Sequence, residues 1–206
     1  MSKIARNKGA LQKEREQLRL YERVLPSLDL KRRQLIGALA QARRRLKDGV
    51  AELDRRISQS ARQTPMLANT GVDLDGMLRI HSVDLGEENL LGAKLPVQER
   101  VDCRLSDYSR LAKPHWVDVA LDQAREIVER RIAAQVEAER VRRLESAVKR
   151  ITQRVNLFEK MLIPTARDNI RRIQIFLADA ERAAVVQSKI SKARRRQREP
   201  SMEEAV

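Results

Sequence analysis

Between residues 11 and 57, apolar side chains return at every third and fourth position. One seam position is held by Leu11, Leu18, Leu25, Arg32, Leu39, Leu46 and Leu53, the other by Glu14, Tyr21, Leu28, Leu35, Ala42 and Gly49. Steps that alternate three and four keep one narrow stripe on a helix, which is the pattern of a helix packed along another helix. Glu14 and Arg32 interrupt the series. Polar residues at such positions set register or reach out to water. A second strict series runs Val141, Leu144, Val148, Ile151, Val155, Phe158 and Leu162, after a looser approach through Val117, Leu121, Ala124, Val128, Ile132 and Val136. It resumes as Ala166, Ile170, Ile173 and Leu177, so a step of four follows a step of four, a local break in the heptad. Pro164 stands at this break, and Pro26 lies beside the first seam. A proline inside a helix removes one hydrogen bond and crowds the carbonyl four residues back, here that of Lys160, at a cost of about 3 kcal/mol. Because the apolar face continues beyond it, Pro164 is expected to bend the helix without ending it.

The middle of the chain has a different character. Four of the seven glycines (71, 76, 86, 92) and three of the six prolines (65, 96, 114) fall between residues 60 and 115. Leu78, Ile80 and Ser82 alternate with Arg79, His81 and Val83, while Leu95, Val97, Val101 and Cys103 sit on short extended pieces. This predicts a small β-hairpin or irregular insert. Helix resumes after Pro114, near a position where proline is tolerated. The fold class is therefore dominated by α-helix: a long antiparallel two-helix coiled coil with the insert at the turn end. The expected divisions are residues 1–60 for the first helix, 61–115 for the insert, 116–187 for the second helix and 188–206 for a basic, flexible tail. At 1.5 Å per residue the second helix, roughly 105 Å, outreaches the first, roughly 70 Å, and leaves a single-helix overhang.

Composition sharpens this. Aromatic residues are only 2% of the chain and charged residues 35%, too few rings for an ordinary globular core but suited to Leu, Ile, Val and Ala seams. The formal net charge of +14 points to an acidic partner, a nucleic acid or an anionic surface. A basic coiled-coil protein that binds nucleic acid, or a scaffold, is the alternative reading. Against nucleic acid, Arg and Lys alternate with Asp and Glu along both helices, and no aromatic residues interleave with a basic patch to stack on bases. Cys103 is the single cysteine, which excludes an internal disulfide and a CxxC metal motif and fits a reducing compartment. The N-terminus has no apolar core of a secretory signal, and no apolar run is long enough to span a bilayer. Neither GxxxxGK[ST] nor GxGxxG occurs. His81 and His115 lack partners at ligand spacing, and Cys103 has no neighbouring histidine motif. No catalytic residue, cofactor or metal is expected.

The stretch QRVNLFEKMLIPTARDNIRRIQIFL, residues 153–177, resembles the C-terminal helix of the D subunit of the V-type and A-type rotary ATPases. Arg154, Val155, Asn156, Glu159, Ile163, Pro164, Asn169, Ile170 and Ile173 carry the likeness. LDLKRRQLIGAL, residues 28–39, is similar to that family's leucine, lysine and arginine stretch at Lys31, Arg32, Arg33 and Leu35. NLLGAKLPV (89–97) and KPHWVDVAL (113–121) are similar to its hairpin and its return to helix. Pro26 departs from the glycine-containing turn of helix found there, the first ten residues match poorly, and residues 60–88 are hard to align.

The resemblance implies a non-catalytic central rotor shaft. Its coiled coil stands inside a hexamer of catalytic and non-catalytic subunits. Its base binds the small central-stalk F subunit and a funnel-shaped subunit on the membrane ring. Such a shaft couples ATP hydrolysis or synthesis to proton or sodium transport from the cytoplasmic side of a membrane. Implied partner contacts are Arg154, Asn156, Glu159, Ile163, Pro164, Arg167 and Arg171 on the second helix. Lys189, Lys192, Arg194 and Arg195 in the basic tail would join them, as would Leu91, Leu95 and Val97 in the insert.

Overall fold

The computed structural model describes residues 5–68, 72–109 and 113–198. Positions 69–71 and 110–112 of the expected insert, and the expected tail beyond residue 198, lie outside the described residues. The element order is α1 (Lys8–Gln63), a 3-10 turn (Pro65–Ala68), β1 (Leu78–Leu90), β2 (Ala93–Leu105), α2 (Trp116–Leu157), a π-turn (Phe158–Leu162) and α3 (Ile163–Arg198). Two long helices pack together, with an antiparallel two-stranded hairpin between them in sequence. The chain divides into two units, Leu30–Thr152 and Met1–Asp29 with Gln153–Val206.

The ends of α1 follow from local chemistry. Asn7 caps its start: the Ala10 N–H donates to Asn7 Oδ1 at 2.7 Å, satisfying a donor the first turn would leave free. At the other end the Thr64 N–H and hydroxyl both donate to the Ser60 carbonyl, at 2.9 and 2.8 Å. Pro65 then supplies no donor to continue the helix. Pro26 lies within α1, exposed, and does not stop it.

In the unit Leu30–Thr152, seam positions Leu35, Leu39 and Ala42 are buried, and Arg32, Leu46, Gly49 and Leu53 are half-buried. They meet Val141, Leu144 and Ile151 of α2, also buried. Cross-helix pairs give the direction. Arg43 meets Glu145 at 2.6 Å, Arg130 meets Glu52 at 3.5 Å, and the Gln123 amide donates to Gln63 at 3.0 Å. Numbers fall on one helix as they rise on the other, so the helices are antiparallel.

The hairpin belongs to this unit, and it folds back along the helices rather than projecting away. Near its base the Ser106 N–H donates to the Met77 carbonyl and the Tyr108 hydroxyl to Asp118 of α2. Near its tip Arg140 holds Glu88, and Arg143 donates to the Lys94 carbonyl at 3.2 Å. Thirteen strand residues cover about 43 Å. That matches the roughly 37 Å of helix between Asp118 and Arg143. Leu95, fully buried, and Cys103 and Ala93 close the inner side. The expected alternation from residue 78 to 83 is not kept: register shifts fall between Ile80 and Ser82 and between Asp84 and Leu85. Ile80 is left 53% exposed.

In the other unit, Leu11, Glu14, Leu18, Tyr21, Leu25 and Leu28 are half-buried and face Val155, Ile163, Ala166 and Ile173, all buried. Tyr21 and Phe158 meet edge to face, with centroids 5.5 Å apart. Glu14 accepts from the Asn169 amide at 3.4 Å, and Arg167 pairs with Glu22 at 2.8 Å. Glu14 thus has a partner across the seam. Among the described residues the last cross-helix ion pair in this direction is Lys8 with Glu181, at 3.9 Å. Beyond it α3 continues to Arg198, past the expected boundary at 187, and every residue from 178 to 195 is exposed. Apolar periodicity stops there, yet Ala, Gln, Lys and Arg remain good helix formers.

Candidate functional site

The densest group of sequence-predicted contact residues surrounds Pro164. Helix does not end at Ile163. The residues just before the proline, Phe158–Leu162, form a π-turn, and the Ile163 N–H donates to the carbonyl of Phe158, five residues back. The wider turn takes up one extra residue. This is the physical content of the four-after-four step: a turn of five lets Ala166, Ile170, Ile173 and Leu177 regain the seam that an unbroken α-helix would have rotated away. Both Leu162 and Ile163 then face inward, half-buried and buried. Ile163, at 7% exposure, lies in the core of this chain. Pro164, Arg154, Glu159, Arg167 and Arg171 are exposed and Asn156 is half-buried. Lys189, Lys192, Arg194 and Arg195 are exposed on the last turns of α3, well along the chain from the π-turn.

The insert residues separate in the same way. Leu91 and Gly92 form the two-residue hairpin loop, with φ of 53° and 85°. Positive φ at both positions is what a tight hairpin that follows the strand twist requires. Asn89 Oδ1 accepts from the Gly92 N–H at 2.9 Å and fixes the loop. Leu91 and Val97 are each 37% exposed, whereas Leu95 has no exposed surface and holds the hairpin to the helices. Leu95 is therefore an internal residue of this chain. Ile80, Val83 and Leu85 are exposed as well, a set absent from the sequence-predicted contacts; for Ile80 the register shift that follows it disturbs the alternation.

Beside the tip a groove of about 480 Å³ runs between the hairpin and α2, lined by Gly92, Ala93, Lys94, Glu139, Arg142, Arg143, Ser146 and Arg150. Glu139 accepts from Arg143 at 3.0 Å and from Arg142 at 2.8 Å, and these two arginines hold its carboxyl below the usual carboxylate range.

A family model described as the ATP synthase D subunit matches residues 10–193. The V-type ATP synthase D subunit of Chlamydia muridarum is 33% identical over 194 residues, covering 93% of this chain and 95% of that protein. That of Chlamydia felis is 32% identical over 205 residues, covering 98% of each. That of Borreliella burgdorferi is 28% identical over 193 residues, covering 94% and 95%. The chain belongs to the ATP synthase D subunit family. It is a V-type D subunit, a non-catalytic central-stalk component of a rotary ATPase.

In this D subunit the titratable side chains hold helices together. Glu126 of α2 accepts from Arg130 and from Arg56 of α1, and Arg130 also reaches Glu52. The hydrogen bond from Arg130, then that from Arg56, lowers the Glu126 carboxyl, and Glu126 in return raises Arg130. Arg56 and Ser60, half-buried and buried, thus continue the α1 seam as a polar layer, with the Ser60 hydroxyl donating to Gln123 at 2.6 Å. Sequence periodicity could not find this layer, because it follows apolar residues only. Burial, with the Glu129 charge, raises the Cys103 thiol, although Arg125 pulls the other way. His81 and His115 are exposed. Among the described residues no group of three or more His, Cys, Asp or Glu could hold a metal ion, and no helix is long and apolar enough to cross a membrane.

Proposed function

We propose that this D subunit is the rotating shaft that couples ATP hydrolysis or synthesis in a hexamer of catalytic and non-catalytic subunits to proton or sodium transport through a membrane ring. The observation that carries the reading is the paired-helix body joined to a fully exposed helix end, residues 178–195. Among the described residues this stretch meets α1 only through the exposed pair of Lys8 with Glu181, and helix left so open is surface for a partner outside the chain. In this reading the hexamer surrounds that end, and Lys189, Lys192, Arg194 and Arg195 meet the loops of its bearing. Arg154, Asn156, Glu159, Pro164, Arg167 and Arg171 lie on the stretch of helix that approaches it.

The hairpin offers the other surface. Leu91 and Val97, joined by Ile80, Val83 and Leu85, present apolar contact to the small F subunit and the funnel-shaped subunit on the ring. The complex then sits on the cytoplasmic face of a membrane. A shaft transmits work only if its faces interact unequally with the different nucleotide states of the hexamer. The π-turn at Pro164 and the interrupted ladder at Pro26 are two places where the helix surface departs from regularity and supplies such inequality.

The test is reconstitution. The chain alone should show no ATP hydrolysis. Added to the hexamer, it should alter turnover and rotate when ATP is supplied, as read from a bead fixed to a cysteine introduced at exposed His81 of the hairpin. Hydrolysis that stays with the chain through stringent purification, or a hexamer indifferent to it, overturns the reading.

A further inference from the structure

We propose that the groove between the hairpin tip and α2 is a docking site for an acidic segment of a partner protein, gripped through its Asp or Glu carboxylates. The proposal rests on the stalk reading above, since the partner is taken to be another stalk subunit. The lining carries four cations, Lys94, Arg142, Arg143 and Arg150, against the single carboxylate of Glu139. Arg142 and Arg143 share Glu139, and Lys94 reaches Glu87 at 3.3 Å. Arg150 has only the backbone carbonyl of Ser146, at 3.4 Å, and among the described residues no carboxylate partner. Lys31 of α1 adds a further cation: a β-carbon at Gly92 would lie 3.6 Å from its Nζ. An excess of cations around a concave site repels itself until an anion enters.

The chemistry favours protein carboxylates over the other anions. Guanidinium groups match carboxylates by paired hydrogen bonds, and Glu139 already shows two of these arginines holding one. No large apolar side chain lines the groove to enter a bilayer, and no ring lines it to stack on a base. The smooth glycine turn at its mouth leaves room for a peptide backbone.

The experiment uses the full chain and a fluorescent Glu-rich octapeptide, read by anisotropy at low and physiological salt. Arg142→Gln with Arg150→Gln should weaken binding roughly tenfold and reduce its salt dependence. Arg44→Gln with Lys47→Gln removes equal charge from exposed α1 positions outside the groove and should leave binding within roughly twofold. Circular dichroism confirms that both variants fold, and should a groove variant unfold, Arg150→Gln alone answers the question. Equal weakening by both pairs means that net charge alone binds the peptide, and overturns the proposal. Pyrophosphate or phosphatidylglycerol vesicles that bind this groove in preference to the peptide also overturn it. Capture of the other ATPase subunits by the unaltered chain is scored separately. Its failure removes the stalk reading and with it the identity of the partner, whereas the peptide result reports on the groove itself.

Discussion

Replacing Pro164 by alanine tests whether the π-turn exists because of the proline or because of the seam. If the proline alone caused it, Pro164→Ala would let the helix close into regular α form and recover most of the roughly 3 kcal/mol that an internal proline costs. The seam argues otherwise. Closing the turn rotates everything beyond it by about 100°. That takes buried Ile173, at 1% exposure, and half-buried Ile170 and Leu177 out of the interface. At roughly 1.5–3 kcal/mol for a fully buried side chain, and half that for the other two, the loss is roughly 3–6 kcal/mol. Regular hydrogen bonding returns only about 0.5–1.5 kcal/mol. The variant should therefore keep the turn. Its gain is one restored donor, less the roughly 0.4–1 kcal/mol by which proline had restrained the unfolded chain, so the net change is about 0–1 kcal/mol.

Urea unfolding followed by circular dichroism measures the stability, and a structure of the variant locates the Ile163 amide. A gain near 3 kcal/mol, with that N–H moved to the Glu159 carbonyl, refutes the reasoning. Removing exposed Met161 as well gives the converse. In the Pro164→Ala background it places Ile163 in the slot of Leu162 and restores alternating steps of three and four through Leu177. An all-α helix of stability within about 1 kcal/mol should result. With Pro164 kept, the same deletion forces proline into regular helix and should cost about 3 kcal/mol.

A double-mutant cycle on Tyr21→Leu and Phe158→Leu should return a coupling of about 0.5–1.5 kcal/mol from their edge-to-face contact; additivity would deny it. Glu126 and Glu139 have lowered folded pKa values, so each contributes stability that is present above the unfolded value near 4.5 and lost as pH falls through the folded one. Melting temperature should decline below about pH 4.5, less steeply in Glu126→Gln, and an unchanged slope in that variant would show the layer carries no linkage. Buried Cys103, with its raised pKa, should resist iodoacetamide at neutral pH in the native chain and react once unfolded. Leu91→Gly should stabilise the hairpin by roughly 1 kcal/mol by relieving a positive φ, which hydrogen exchange across β1 and β2 reads.

What the sequence could reveal depended on how directly each feature is written as a period. Every named position of the α1 seam is buried or half-buried, because the heptad is the helix geometry itself. The step of four after four marked where the helix departs from regular form, but not how: a bend and a widened turn both answer a surplus residue, and only the backbone hydrogen bond to Phe158 distinguishes them. The hairpin was legible in kind and not in detail. Two bulges shift the strand period, so Ile80, which alternation puts on the face of Leu78, lies outward. Leu95 and Ile163 are buried in this chain, which the motif around each does not reveal, since a matching motif does not say which side of an element a side chain takes.

The same limit explains why the surfaces that serve a stalk subunit are the least visible in its sequence. A seam must repeat, because each buried residue needs the next at fixed spacing. The groove beside the hairpin tip needs no repeat: it draws Lys94 from a strand and Arg142, Arg143 and Arg150 from α2, residues separated by about fifty positions of chain and joined only because the hairpin doubles back. Nothing in the local sequence around either group requires the other. Within α2 these arginines read as the solvated face of a charged helix, and they become a concave cationic surface only when Leu95 is buried and sets the hairpin tip against them. A core residue thus positions the contact surface. Leu95→Ala removes a fully buried side chain and should cost roughly 2–5 kcal/mol. It should also weaken the octapeptide in the groove without altering any charge. If the peptide binds Leu95→Ala as well as the parent while the variant remains folded, the arginines act without the hairpin and the groove has no part in recognition.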